Sequence, residues 1–151
     1  ECGVDVEITH EGIRVDARDR ELIATDIKTL PYPGFPTDIQ SPFMAFLTTV
    51  NGSSVVRETV FENRFMHVVE LNRMGARINL NGRTAIVAGV DKLYGAEVTS
   101  TDLRAGAALV VAALMADGTS IVRNIHYIDR GYEHIVEKLT ALGASIERVE
   151  E

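Results

Sequence analysis

The chain has 151 residues, 46% of them apolar, which is enough for one real core and too much for a disordered chain. Its formal net charge of −7 argues against nucleic acid as a general partner, but local arginines can still hold a small anion. The single cysteine, Cys2, excludes an internal disulfide framework and fits a reducing, cytoplasmic setting. No basic-then-apolar leader opens the chain, and the longest nearly uncharged apolar run, Ala105 to Ala116, is too short to span a bilayer. The first residue is Glu1 rather than Met, so the sequence reads as a piece of something longer.

In chain order, Val4, Val6 and Ile8 alternate, and Ile13 and Val15 follow a His10-Glu11-Gly12 turn, which predicts a strand pair. Leu22 to Thr29 predicts another strand. Pro31, Pro33, Gly34 and Pro36 then enforce an extended loop, since proline fixes φ and biases its predecessor away from helix. Asp38 ends that loop, and Ile39 to Val50 predicts a helix with Pro42 in its first turn. Asn51-Gly52 stops it, Ser53 to Val60 reads as a strand, and Met66 to Met74 as a helix closed by Gly75. Ile78 to Leu80 and Thr84 to Val87 flank Asn81-Gly82, a strong hairpin signal. A strand over 96–101 leads into a helix from Leu103 to Ala116 that is apolar nearly all round and should be buried. Ser120 to Ile125 is a strand, and Tyr132 to Leu142 an amphipathic helix.

The same order, three strands then helix, strand, helix, thus occurs twice, with approximate repeats 1–75 and 76–151. Segments also match: Val50-Asn51-Gly52-Ser53-Ser54-Val55-Val56-Arg57 answers Ala116-Asp117-Gly118-Thr119-Ser120-Ile121-Val122-Arg123. Each copy carries an aspartate before an apolar helix, Asp38 or Asp102, and an arginine one strand later, Arg64 or Arg130. A duplicated fold needs matching apolar positions but no matching acid and arginine, so these four are candidates for chemistry. Each aspartate has a plain alternative role as a helix N-cap. Arg104 stands in the first turn of an apolar helix, where a cation opposes the helix dipole and needs an anion. Arginines at repeat-related positions favour a carboxylate or phosphate site, and internal ion pairing is the bland alternative. His67, His126 and His134 lack metal-ligand spacing, and no glycine-rich phosphate loop is present.

Phe35-Pro36-Thr37-Asp38, Glu58-Thr59-Val60-Phe61-Glu62-Asn63-Arg64-Phe65-Met66-His67, Thr101-Asp102-Leu103-Arg104-Ala105 and Ile128-Asp129-Arg130-Gly131-Tyr132-Glu133 resemble the UDP-N-acetylglucosamine enolpyruvyl transferases. The resemblance covers the whole chain. It implies an α/β (α+β) fold of the inside-out barrel type, with helices buried and two of the three repeated units of one domain present here. It implies enolpyruvyl transfer from phosphoenolpyruvate to the sugar 3-hydroxyl of UDP-N-acetylglucosamine in peptidoglycan synthesis, by addition and then phosphate elimination, with no cofactor and no metal. By the same resemblance, Asp38 is the base at that hydroxyl, and Asp38, Asp102 and Arg130 are catalytic. Val60 and Phe61 contact the sugar nucleotide; Arg64, Arg104 and Arg130 face anionic substrate groups. The family's general acid lies in another domain, so the chain alone is expected to be inactive and to need the remainder of its parent or to self-associate. Two alternatives stay open: a non-catalytic anion-binding or interaction module of the same fold, and a relative of the enolpyruvylshikimate-phosphate synthases.

Overall fold

The computed structural model describes residues 1–149. Glu150 and Glu151, the end of the expected second repeat, lie outside the described residues. The first strand pair forms as the alternation predicts: β1 (Asp5–Ile8) and β2 (Ile13–Asp16) are antiparallel, with Val6 opposite Val15 and Ile8 opposite Ile13. The 22–29 segment is less regular than its composition suggests. Only β3 (Ile27–Lys28) enters a ladder, because side chains take over part of the pairing. The Thr25 amide donates to Ser54 Oγ, and the Val55 amide donates to Asp26 Oδ1 at 2.7 Å.

Helix α1 (Thr37–Leu47) begins two residues earlier than expected, so Asp38 and Pro42 both sit inside it. Strand β4 (Ser53–Arg57) runs parallel to β3 and stops three residues short of Val60. It stops because the Glu58 side chain turns inward and collects the next backbone amides. Helix α2 (Val68–Arg73) ends at Gly75, whose φ of +95° is the left-handed conformation a helix stop uses. The Asn81-Gly82 hairpin forms between β5 (Arg77–Asn81) and β6 (Thr84–Ala88). That hairpin lies against β4, giving a four-stranded sheet in the order β3-β4-β6-β5.

In the second half β7 (Glu97–Thr99) and β8 (Ile121–Arg123) pair in parallel, as β3 and β4 do. Helix α3 (Leu103–Met115) packs against α1. Met44, Ala45 and Leu47 of α1 and Ala108, Leu109 and Ala112 of α3 are all buried in the common core. Apolar residues on every face of α3 are explained by this burial from Ala105 to Val110, although Leu114 near its end is half-exposed. The short helix α4 (His126–Asp129) is not predicted by any periodicity. Helix α5 (Ile135–Ala141) starts later than expected, because His134 takes a left-handed φ of +51° that interrupts any turn from Tyr132. No residue of α5 is fully buried, so the expectation of buried helices holds for α1 and α3 but not for α5. Among the described residues no helix is long and apolar enough to cross a membrane.

Candidate active site at the paired helix starts

The contact between α1 and α3 brings their N-terminal ends together, and there the two halves of the chain share charges. Asp38 is not a helix cap. Pro36 occupies the cap position with extended backbone, and no side chain caps the helix. The Asp38 carboxylate instead accepts from Arg104 Nε at 2.8 Å and lies 3.9 Å from Arg64 Nη2. The Arg104 hydrogen bond, opposed by partial burial and helped by the charges of Arg104 and Arg64, holds its pKa below the usual carboxylate value. The start of α1 adds its own positive end. Asp38 is therefore ionised at neutral pH. The same hydrogen bond raises the Arg104 pKa.

Asp102 is the N-cap of α3: its Oδ1 accepts from the Arg104 amide at 2.8 Å and the Ala105 amide at 3.0 Å. The capping alternative thus describes Asp102 and not Asp38. By capping, Asp102 fixes the turn from which Arg104 reaches across to the other half of the chain.

Arg64 is 7% exposed, and its surroundings explain how a cation tolerates that position. Its guanidinium lies 4.3 Å from the centre of the Phe61 ring, its Nε donates to Thr37 Oγ1 at 3.3 Å, and Asp38 supplies the counter-charge. Val60 and Phe61 are about half exposed, at 43% and 53%, beside this cluster. Arg130 follows α4 and is exposed; among the described residues no hydrogen bond or ion pair involves its side chain. Its segment nevertheless sits at the start of α3. Gly131 packs so tightly on Leu103 that a Cβ there would come within 2.8 Å of Leu103 Cδ2, and Tyr132 acts electrostatically on Arg104. Neighbouring Asp129 is engaged by Arg148 at 2.6 Å.

Two participants escape the sequence reading as site residues. Glu58 and Thr37 link the Val60–Phe61 edge to the start of α1. One signal could have found Glu58: in the alternation of β4 it falls in register with buried Ser54 and Val56, where a carboxylate needs a reason to be. His67 is also fully buried, and its Nε2 faces Met44 Sδ at 3.3 Å. Burial dominates its titration and lowers its pKa to about 4, against opposing contributions from the Arg64 backbone and the Asp102 charge.

The site is thus an exposed edge where one ionised carboxylate stands among guanidinium groups. Such an edge can accept a proton from a hydroxyl while binding an anion beside it. Residues 1–139 match the family model described as EPSP synthase (3-phosphoshikimate 1-carboxyvinyltransferase). The chain is 56% identical over 151 residues to the UDP-N-acetylglucosamine 1-carboxyvinyltransferase of Paramagnetospirillum magneticum, covering 100% of this chain and 35% of that one. It is 67% identical over 129 residues to UDP-N-acetylglucosamine 1-carboxyvinyltransferase 2 of Carboxydothermus hydrogenoformans, covering 85% of this chain and 31% of the relative. It therefore spans about a third of the length of the curated relatives it matches. Among solved structures, the enolpyruvyl transferase NikO from Streptomyces tendae superposes with a TM-score of 0.88 at 30% identity, over 97% of this chain and 34% of that one. An EPSP synthase from Acinetobacter baumannii, at 17% identity and a TM-score of 0.69 over 98% of this chain and 35% of that one, shares the fold. With the family model matching residues 1–139 of its 151, the chain belongs to the EPSP synthase (3-phosphoshikimate 1-carboxyvinyltransferase) family of enolpyruvyl transferases.

Proposed function

We propose that the protein carrying this chain transfers the enolpyruvyl group of phosphoenolpyruvate to the 3-hydroxyl of UDP-N-acetylglucosamine, a cytoplasmic step of peptidoglycan synthesis. The observation that carries the reading is the 2.8 Å contact from Arg104 to Asp38, which joins the two halves into one site. The names of relatives at 56% and 67% identity support the sugar nucleotide as acceptor. In the addition step the hydroxyl oxygen bonds to C2 of phosphoenolpyruvate, the hydroxyl proton passes to Asp38, and C3 takes a proton. In the elimination step phosphate leaves from C2 as C3 gives up a proton, and the enol ether forms. Asp38 is a weak base because Arg104 and Arg64 lower its pKa. It is an always-ready acceptor, and it takes the proton as the forming C–O bond makes the hydroxyl acidic. Arg64, Arg104 and Arg130 hold the anionic groups of substrate and adduct, Val60 and Phe61 line the sugar-nucleotide edge, and Asp102 fixes the Arg104 turn. The general acid comes from the remainder of the parent chain, so these residues alone are inactive.

The full-length protein should release phosphate from phosphoenolpyruvate when given UDP-N-acetylglucosamine and not when given shikimate 3-phosphate. The opposite preference would move the protein to the shikimate branch. Release with neither would favour a non-catalytic module.

A further inference from the structure

Glu58 is 1% exposed, and all four donors that reach it are neutral. Its two oxygens have different work. Oε1 accepts from Thr29 Oγ1 at 2.7 Å, the Val60 amide at 2.8 Å and the Phe61 amide at 2.9 Å. Among the described residues Oε2 accepts only from Thr37 Oγ1, at 2.9 Å. Thr37 in turn accepts from Arg64 Nε and directly precedes Asp38 in the first turn of α1. A buried carboxylate is a poor way to gain stability, since well-packed apolar groups usually do as well or better. Its geometry here serves the two edges it joins.

We infer that Glu58 is the positioning residue of this site: Oε1 shapes the Val60–Phe61 edge, and Oε2, through Thr37, sets Arg64 and the turn carrying Asp38. This rests on the enolpyruvyl-transfer reading. Burial alone would push the Glu58 carboxyl up, but the hydrogen bonds from Thr29, the Phe61 and Val60 amides and Thr37 outweigh it and lower the pKa. Glu58 is thus an anion with every acceptor position available, and it touches no reacting atom.

The division of work makes Glu58→Gln selective. Three donors converge on Oε1, so the amide oxygen stays there and the amide nitrogen replaces Oε2, where it cannot accept from Thr37. In the full-length protein, Glu58→Gln should lower kcat about tenfold while the KM for UDP-N-acetylglucosamine stays within about twofold, the signature of a displaced catalytic turn. Thr37→Val should reproduce that split, and Thr37→Ser, which keeps the hydroxyl, should recover most of the rate. Glu58→Ala should raise KM as well, with faster hydrogen exchange at the Val60 and Phe61 amides. Wild-type kcat in both Glu58→Gln and Thr37→Val would overturn the inference, and so would equal loss in Thr37→Val and Thr37→Ser. If Glu58→Gln does not fold, the two Thr37 variants decide. If the wild-type protein transfers no enolpyruvyl group, the functional reading fails by itself, and the Arg64 Nε–H resonance judges the positioning. A shift of that resonance in Thr37→Val that reverses in Thr37→Ser upholds it, and an unmoved resonance overturns it.

Discussion

At the scale of single residues, two titrations distinguish this site from an ordinary surface. On the proposed reading Asp38 works deprotonated, so the activity of the full-length protein should fall as pH drops through the Asp38 folded pKa, which Arg104 and Arg64 hold below the ordinary value of 3.8. Arg104→Gln removes the larger of these influences. The acid limb of kcat/KM in the full-length protein should then move upward in pH, and a limb that stays in place would remove Arg104 as the cause. His67 behaves differently, because its ring is buried and neutral. Folded, it binds a proton only near pH 4; unfolded, it binds one near 6.5. Its contribution is therefore fully present above pH 6.5 and is lost as pH falls toward 4, about 3 kcal/mol over that window. Denaturant melts at pH 7 and pH 4.5 should show this loss in the wild type and a smaller one in His67→Gln. Asp38, Arg64 and Arg130 were legible in the sequence because an aspartate and an arginine recur at matching points of two copies, and Arg104 because a cation in the first turn of an apolar helix needs an anion. The pairing of Asp38 with Arg104 was not, because it depends on how α1 and α3 cross in space.

At the scale of elements, hydrophobic period and turn residues predicted every strand and the four longer helices. They missed where strands stop and where α5 starts. Those limits are set by side chains that compete for backbone partners, Asp26, Ser54 and Glu58, and by the left-handed His134, none of which has a periodic signature. Close packing of α3 against α4 is equally invisible in the pattern, yet it seats the Arg130 segment. Gly106 in α3 leaves no room: a Cβ would lie 2.5 Å from Ile128 Cγ1 and 2.6 Å from Ser100 Oγ. In an open helix Gly→Ala stabilises by about 1 kcal/mol. Here Gly106→Ala should instead destabilise by about 1–3 kcal/mol, as overpacking does. A raised melting temperature for this variant would show that α4 does not pack on α3 as described.

At the scale of the whole molecule, the two halves differ in what covers their strands. The hairpin β5–β6 lies on β4, whereas among the described residues the equivalent hairpin β1–β2 pairs with nothing further and β8 pairs only with β7. Val6, Ile8, Ile13 and Val15 of that first hairpin are all at least 60% exposed and stand opposite one another. An apolar ladder and an unpaired strand edge in one molecule favour association of two copies. Light scattering of this 151-residue chain at micromolar concentration should therefore report species larger than a monomer. A strict monomer that binds no hydrophobic dye would show that the hairpin needs no cover.

The central claim is that one carboxylate, held by arginines from both halves of the chain, takes the proton of the acceptor hydroxyl. The most direct test is the steady-state rate of phosphate release by full-length Asp38→Asn with saturating phosphoenolpyruvate and varied UDP-N-acetylglucosamine. The account predicts that kcat falls by about 10²–10⁴-fold while KM changes little, as expected for a group that acts in the transition state. An unchanged kcat with a raised KM would make Asp38 a binding residue and contradict the account.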